Sequence, residues 1–530
     1  MLEAQLENIL KVKPYLQNLI FRRGYLLTSQ NMDVGMGYPF YRNWTKTKVK
    51  NYYLYVHKDQ KHYIQYSNND VYILVGHAYN PWNNVSDENI ILETLVKCMD
   101  ISKDRFFEEL SRVTGVFAIF MINEDRIVAV QDSVGIMPVF YMDNLVSSKE
   151  IFFSSHSQLI ADLCNLKMDA NIEKLINSKF YLIGIRHLPG IKSPFEEVKT
   201  LTANTYFESD TQRIIRFYPN ATYDRLDEQE ALETICTILK NSMMLISDKH
   251  NSSISLTGGI DSKMTLAATN GIYEKYKYFS FFSSEAEKKD AISANNICKV
   301  MGLEHKIYEV PGKNEDIKDF DLIYKIIDHN SGYVKKHKDA EIRKIAYLLS
   351  QNDIEFEVKS HVSEIGRGFY YKKHGLKTMP KHLRPRHMSN FYKRNMFDRK
   401  TLKYMDHSFI EFIKTTDFGK NFSARYDESD MFYWEHRMSQ WAAFVKQDFD
   451  ISHETTIIYN NRKLLDIFMN FSIENRIKDL PQREIIKRLN QELYELNINN
   501  ENPMKNKKRI LLERLFFEIN SIALNGRDEL

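Results

Sequence analysis

Up to about residue 220 the apolar positions fall in short runs between polar turns. Tyr52–Val56, Val71–Gly76, Phe117–Ile122 and Ile127–Val130 are rich in β-branched and aromatic residues, which predicts strands. Glu88–Met99 and Phe106–Val113 carry helical spacing instead. Asp132–Pro138 reads as a turn leading into Val139-Phe140-Tyr141. Beyond Asp227 the pattern changes. A helical stretch to Ser247 precedes a short strand at Ser253–Leu256, two glycines, and a helical run at Met264, Leu266, Ala267 and Ala268. Tyr278–Phe282, Lys306–Val310 and Glu355–Lys359 read as further strands, and Asp290–Met301 as a helix closed by Gly302. Strands alternating with helices imply a parallel sheet covered on both faces, with ligands beyond the strand C-termini. From Tyr426 the chain is helical to its end, apart from an Asn-rich break at 497–506. The expected class is α/β (α+β overall): a β-rich sandwich unit over 1–220, and a doubly wound parallel-sheet unit with a helical C-terminal part over 221–530.

The chemistry concentrates where strand, loop and helix meet, in Thr257-Gly258-Gly259-Ile260-Asp261-Ser262. Glycine lets the backbone approach a ligand closely, and N–H groups at a helix start suit a phosphate. Thr257 and Ser262 add hydroxyls. Asp261 would repel a phosphate unless a cation intervenes, which predicts Mg²⁺ at this carboxylate. A Gly-Gly turn in an ordinary α/β unit would look the same in isolation.

Composition narrows the classes. The chain has 530 residues, a net charge of +3 and four scattered cysteines with no metal-type spacing. That argues for a reduced, cytoplasmic protein and gives no global case for nucleic acid. No uncharged apolar run is long enough to span a membrane, and the N-terminus has no signal-peptide core. The final Arg527-Asp528-Glu529-Leu530 looks like a retention signal but lacks an entry signal to give it meaning. Between Arg367 and Lys403 there are twelve Lys/Arg and one acid, Asp398, with aromatics interleaved (Phe369, Tyr370, Tyr371, Phe391, Tyr392, Phe397). That stretch reads as a solvated insertion or as a surface for an anionic partner.

These landmarks together resemble the asparagine synthetase family, which joins a glutaminase-type (Ntn-hydrolase-like) domain to an ATP-pyrophosphatase domain. Thr257–Ser262 resembles its SGGxDS pyrophosphate loop, with Thr257 for the first serine. Val75–Asn80 resembles the VNGEIYN strand, Gly115–Ile119 the GxFAF strand, and Asp132–Tyr141 the RDxxGIxPLYY segment. Asp290 with Ala294 resembles the DxxxA helix, and Ser360-His361-Val362-Ser363-Glu364 resembles GEGxDE. The resemblance spans roughly Val75–Leu489. It implies ATP contacts at Leu256, Thr257, Gly258, Gly259, Ile260, Asp261, Ser262, Ser280 and Ser360. It also implies Mg²⁺ shared by Asp261 and Glu364, and a cation steadying the adenylate at Arg483 or Lys487.

Three departures matter. Residue 2 is Leu2 where the family's glutaminase needs its nucleophilic cysteine, and His77 stands at the acid of GEIYN. The N-terminal unit is therefore expected to be inert, as in β-lactam synthetase or lasso-peptide cyclase relatives. The catalytic glutamate of GEGxDE is His361, a candidate base because imidazole titrates near neutrality. Glu435 could complete a His–carboxylate pair with it; otherwise it belongs to a surface ion pair.

The expected function is an ATP-dependent carbon–nitrogen ligase that adenylates a small-molecule or peptide carboxylate and transfers it to ammonia or an amine. The alternatives are a nucleotide-binding scaffold without turnover and an adenylating enzyme acting on RNA. The sequence leaves open a homodimer and the identity of both substrates.

Overall fold

The computed structural model describes residues 2–124, 126–142, 150–184, 186–219, 225–392, 398–420, 422–423, 425–496 and 507–522. The Asn-rich break, Phe397 and the C-terminal tetrapeptide lie outside these residues.

The N-terminal half builds two six-stranded sheets, antiparallel throughout. One runs in the order Val198–Thr200, Phe140–Met142, Phe152–Ser154, Tyr25–Thr28, Tyr52–His57, Trp44–Val49; the other runs Arg213–Arg216, Thr205–Glu208, Ile127–Gln131, Thr114–Ile122, Asp70–Tyr79, His62–Ser67. Period-two alternation decides what each face meets. Tyr25, Leu27, Leu54 and Val56 pack against Val71, Ile73, Val75, Ala118 and Phe120 between the sheets. Tyr72 and Leu74 point the other way, under Leu92, Leu95 and Phe106 of two covering helices. Leu26 and Tyr55 face an outer layer made of Leu6, Leu10 and Leu16 together with Ile323, Ile326 and Ile327. The last three belong to the helix Phe320–Asn330, so elements of the C-terminal half complete the sandwich.

The C-terminal half holds a five-stranded parallel sheet in the order His305–Glu309, Tyr276–Phe282, Ser252–Ser255, Phe356–Val358, Glu454–Thr456. From the central strand the chain winds outward one way and then returns to wind outward the other way. The order therefore reverses between Ser252–Ser255 and Phe356–Val358, and such a reversal opens a crevice at the strand C-termini. The predicted strands fall on the observed ones within a few residues. The edge strand Glu454–Thr456 was missed because it is three residues long inside a helical region.

One apolar core runs through both halves, from Tyr25 and Val71 to Ile254 and Phe468. Polar groups fix the join. Asp132 accepts from the N–H groups of Val134, Gly135 and Ile136 at 2.7–3.2 Å and of Met137 at 2.8 Å, shaping a buried turn. That turn meets Asn460 and Trp434: Ser133 Oγ donates to Asn460 Oδ1 at 2.8 Å and Trp434 Nε1 donates to the Ser133 carbonyl at 2.8 Å. His77 Nδ1 lies 2.8 Å from Glu454.

Two expectations change here. Glu435 neither pairs with His361 nor lies on the surface. Its carboxylate is fully buried and accepts from Arg216 Nη1 at 2.7 Å and Nη2 at 2.8 Å, and from Asn204 at 3.0 Å, across the interface of the halves. The basic stretch is not a solvated insertion either. Tyr370, Phe391 and Phe432 stack on one another in the core, with Phe517 beside Phe391, and Arg386 is held by Asp406. Among the described residues Tyr370, Tyr371, Phe391 and Tyr392 are thus buried in packing, and Phe369 is half-buried against Tyr433. No helix among the described residues is long and apolar enough to cross a membrane.

Arg216→Ala should leave the Glu435 carboxylate buried without its cation, costing about 3 kcal/mol or more. A clear drop in the thermal unfolding midpoint is expected; an unchanged midpoint would mean that the pair contributes nothing to joining the halves.

Candidate functional site

The central strand Ser252–Ser255 is paired on both sides, so its end is held rigidly. Leu256 N donates to the Phe279 carbonyl at 2.8 Å, and the chain then leaves the sheet. Gly259 caps the helix Ile260–Ala267 and supplies no side chain to its first turn. Thr257 and Gly259 are exposed, so the bend is open to solvent. The hydroxyls brace the loop. Thr257 Oγ1 and Ser262 Oγ are 2.9 Å apart, Thr257 N donates to Ser262 at 3.2 Å, and Gly259 N donates to Thr257 Oγ1 at 3.2 Å. The groups left for an anion are the backbone N–H groups of the helix start. Ser280 is spent as well: its hydroxyl donates to the Leu256 carbonyl at 2.7 Å and meets His305 at 3.0 Å.

Across the crevice, the strand Phe356–Val358 ends in Lys359. Lys359 N keeps the ladder going to the Thr456 carbonyl at 2.9 Å. Its ammonium lies 2.6 Å from Glu357 and 3.6 Å over the Phe449 ring, and Glu357 also receives His453 at 2.7 Å. Burial lowers the Lys359 pKa while Glu357 opposes the shift. Ser360 Oγ is buried without a hydrogen-bond partner among the described residues. His361 sits edge-on to Trp441, with ring centroids 5.4 Å apart. Burial, assisted by the Lys359 charge, pushes its pKa down to about 4. It is neutral at pH 7 and does not titrate near neutrality, contrary to the sequence expectation. Val362 stands at a glycine position of the resembled motif and adopts φ +81° while fully buried. A β-branched residue there is strained, and such strain gathers at functional sites.

Asp261 and Glu364 influence one another electrostatically. Glu364 is pushed up to about 7 by burial and by the Asp261 charge. The cation beside Asp261 is Arg367, whose Nη1 reaches both carboxylate oxygens at 2.8 and 2.6 Å, while Ser363 Oγ donates to one of them. Arg367 Nε also donates to Asp479 at 2.8 Å. A resident Mg²⁺ does not fit this donor set. Both Asp261 oxygens accept from Arg367 and one of them from Ser363 as well, and among the described residues no cluster of three His, Cys, Asp or Glu could hold an ion without ligands from a bound molecule. Arg367 was counted in the basic stretch, and nothing in its spacing announced a partner 106 positions away.

A cavity of about 520 Å³ opens on this edge, lined by Leu256, Thr257, Ser280 and His361. Sequence reading missed much of its wall: the aromatic Phe281, Trp441 and Phe449, and the charged Arg186, Lys335 and Lys359. Gly184 and Arg186 come from the N-terminal half. Arg483 is elsewhere. With Ile260, Lys263 and Tyr494 it lines a second cavity of about 270 Å³, and Lys487 stands 5.9 Å from the Tyr494 ring. Burial, and secondarily the Arg483 charge, lower the Lys263 pKa.

A family model described as a glutamine amidotransferase domain matches residues 78–219. No curated protein matches the chain. Among solved structures it is similar to the glutamine phosphoribosylpyrophosphate amidotransferase from B. subtilis complexed with ADP and GMP, at 11% identity and TM-score 0.22, over 55% of this chain and 60% of that one. The chain thus spans less than two thirds of that protein. It is also similar to the NH3-dependent NAD synthetase from Campylobacter jejuni (12% identity, TM-score 0.18, 57% of this chain, 99% of that one). A third similarity is to the glutamine-dependent NAD+ synthetase from Acinetobacter baumannii in complex with ADP (12%, TM-score 0.20, 70% and 96%).

In a histidine-labelled NMR titration, His361 should keep its neutral signal from pH 8 to 5 and turn over near pH 4. A midpoint above pH 6 would contradict the burial that sets it.

Proposed function

We propose that the chain is an ATP-dependent carbon–nitrogen ligase that adenylates a substrate carboxylate and passes the acyl group to ammonia or an amine, without a glutaminase step of its own. One observation carries the reading: a bend exposed at Thr257 and Gly259 and a helix start without a side-chain cap lie at the reversal of strand order, beside a cavity of about 520 Å³. Converging backbone N–H groups suit the tail phosphates of a nucleotide. The apolar wall at Leu256 and Phe281 suits a base.

In the first step a carboxylate oxygen bonds to the α-phosphorus and the bond to pyrophosphate breaks. In the second step an amine adds to the acyl carbon, sheds a proton, and AMP departs with the bonding electrons. Lys359, held by Glu357, puts a cation where negative charge develops. His361 is neutral and able to accept the proton. Addition to the carbonyl makes the amine's N–H more acidic than that of the free ammonium, which eases its transfer to His361.

The inert-glutaminase reading has its own support. The first sandwich strand starts at Tyr25, behind an arm of residues 2–24 that contains no cysteine. That arm is tied to the other half: Phe21 N donates to Asn330 at 3.1 Å, Asn330 donates to the Leu19 carbonyl at 2.9 Å, and Arg22 donates to the Ile451 carbonyl at 2.5 Å. His77, at the acid position of the resembled motif, is engaged by Glu454. The N-terminal unit then serves as scaffold and cavity wall. A nucleotide-holding module without turnover is the second reading, favoured by the charge-saturated Asp261.

The test is ATP–pyrophosphate exchange across a panel of carboxylic acids, with glutamine hydrolysis measured in parallel. Exchange dependent on one class of acid, with no glutamate released, is expected. A folded, ATP-bound protein that exchanges with none of them supports the second reading and removes the first.

A further inference from the structure

We propose that the Arg367 guanidinium, rather than a metal held by protein carboxylates, supplies the cationic charge at the nucleotide-binding loop, and that it receives the triphosphate together with the loop N–H groups. The inference rests on the nucleotide-binding reading above and goes beyond it by naming the cation.

Arg367 is set by its backbone. It closes the turn Ser363–Arg367 that follows the strand beside the loop, and it lies between Gly366 and Gly368. A Cβ on Gly366 would stand 2.7 Å from Phe468 Cβ, and Gly368 has φ +59°. Close packing on one side and a left-handed residue on the other therefore aim the arginine. Its planar fork then spans two carboxylates, Asp261 on the loop and Asp479 at the start of the helix Leu480–Leu489. Lys372 donates to Asp479 Oδ1, the oxygen that also accepts from Arg367 Nε. The string Asp261, Arg367, Asp479, Lys372 alternates in sign, and Glu364, pushed up to about 7 by burial and the Asp261 charge, adds at most part of one further negative charge.

The guanidinium is also available to a ligand. Its side chain keeps 15% exposure and that of Asp261 keeps 20%. Nη1 is used on Asp261, and Nη2 reaches only Asp479, at 3.3 Å, which leaves an N–H pointing elsewhere. Guanidinium forks match phosphate oxygens in pairs and are held more strongly than neutral donors. A dication placed on Asp261 would have to expel this fork and then sit beside it, like charge against like. On this account Asp261 is the resting counter-ion of Arg367: it parks the guanidinium at the loop until phosphate oxygens replace it.

The experiment measures ATP affinity by calorimetry, in EDTA and in magnesium chloride, for the wild type and for Asp261→Asn, Arg367→Ala and Arg367→Lys, with folding checked by circular dichroism. Wild type should bind ATP in EDTA. Asp261→Asn should bind it more tightly there, because the arginine is released. Arg367→Ala should lose about tenfold or more in EDTA, the worth of a charge-assisted hydrogen bond, and Arg367→Lys should recover part of it. If wild type needs magnesium to bind ATP and Asp261→Asn abolishes that binding, Asp261 is a metal ligand and the proposal is overturned. Should Arg367→Ala fail to fold, the Asp261→Asn result decides alone. If wild type binds no ATP under either condition, the ligase reading falls and this inference falls with it.

Discussion

A helix that starts on glycine has nothing of its own to satisfy its first N–H groups. The helix Ile260–Ala267 starts that way, and everything proposed for this protein depends on it. Its position turns a local deficit into a site. The strand leading into it is the middle of five, held by neighbours on both sides, and the sheet reverses its winding order at that strand. The loop cannot retreat into the sheet, and the neighbouring strand's end cannot close over it. The hydroxyls of Thr257 and Ser262 bond each other and the Thr257 and Gly259 N–H groups, which stiffens the bend; the donors left are the peptide groups at the helix start.

The N-terminal half is bound into this arrangement. Its outer sheet face is covered by the helix Phe320–Asn330 from the other half. Its Arg216 neutralises Glu435, its His77 meets Glu454, and its Arg186 reaches the cavity wall. Removing this half would strip the covering from one apolar face and leave the buried Glu435 and the half-buried Glu454 without these partners, which is more costly than losing exposed pairs. The two halves are thus built against each other.

The sequence made legible what short-range pattern encodes. Short runs of β-branched and aromatic residues located the three longest strands, Asp70–Tyr79, Thr114–Ile122 and Tyr276–Phe282, but not Trp44–Val49 or His62–Ser67; the strand–helix alternation located the second unit, and the Gly-Gly bend located the loop. It was poor where identity depends on partners far away in the chain. Glu435 read as half of a surface pair because helical spacing says nothing about a strand arginine 219 positions earlier. His361 read as a group titrating near neutrality because its burial comes from Trp441 and other cavity residues that no local pattern shows. Arg367 was hidden among eleven other basic residues, although its two flanking glycines marked it as a turn position. The aromatics of that stretch looked accessible because nothing local reveals that Phe432 and Phe517 cover them.

The most direct measurement is amide hydrogen exchange over the peptide from Leu256 to Leu266, with and without ATP. If the loop N–H groups hold the phosphate tail, their exchange slows markedly when ATP is added, while the sandwich strands far from the crevice are unaffected. If ATP binds and the exchange of this peptide is unchanged, the phosphates lie elsewhere and the account of the site is wrong.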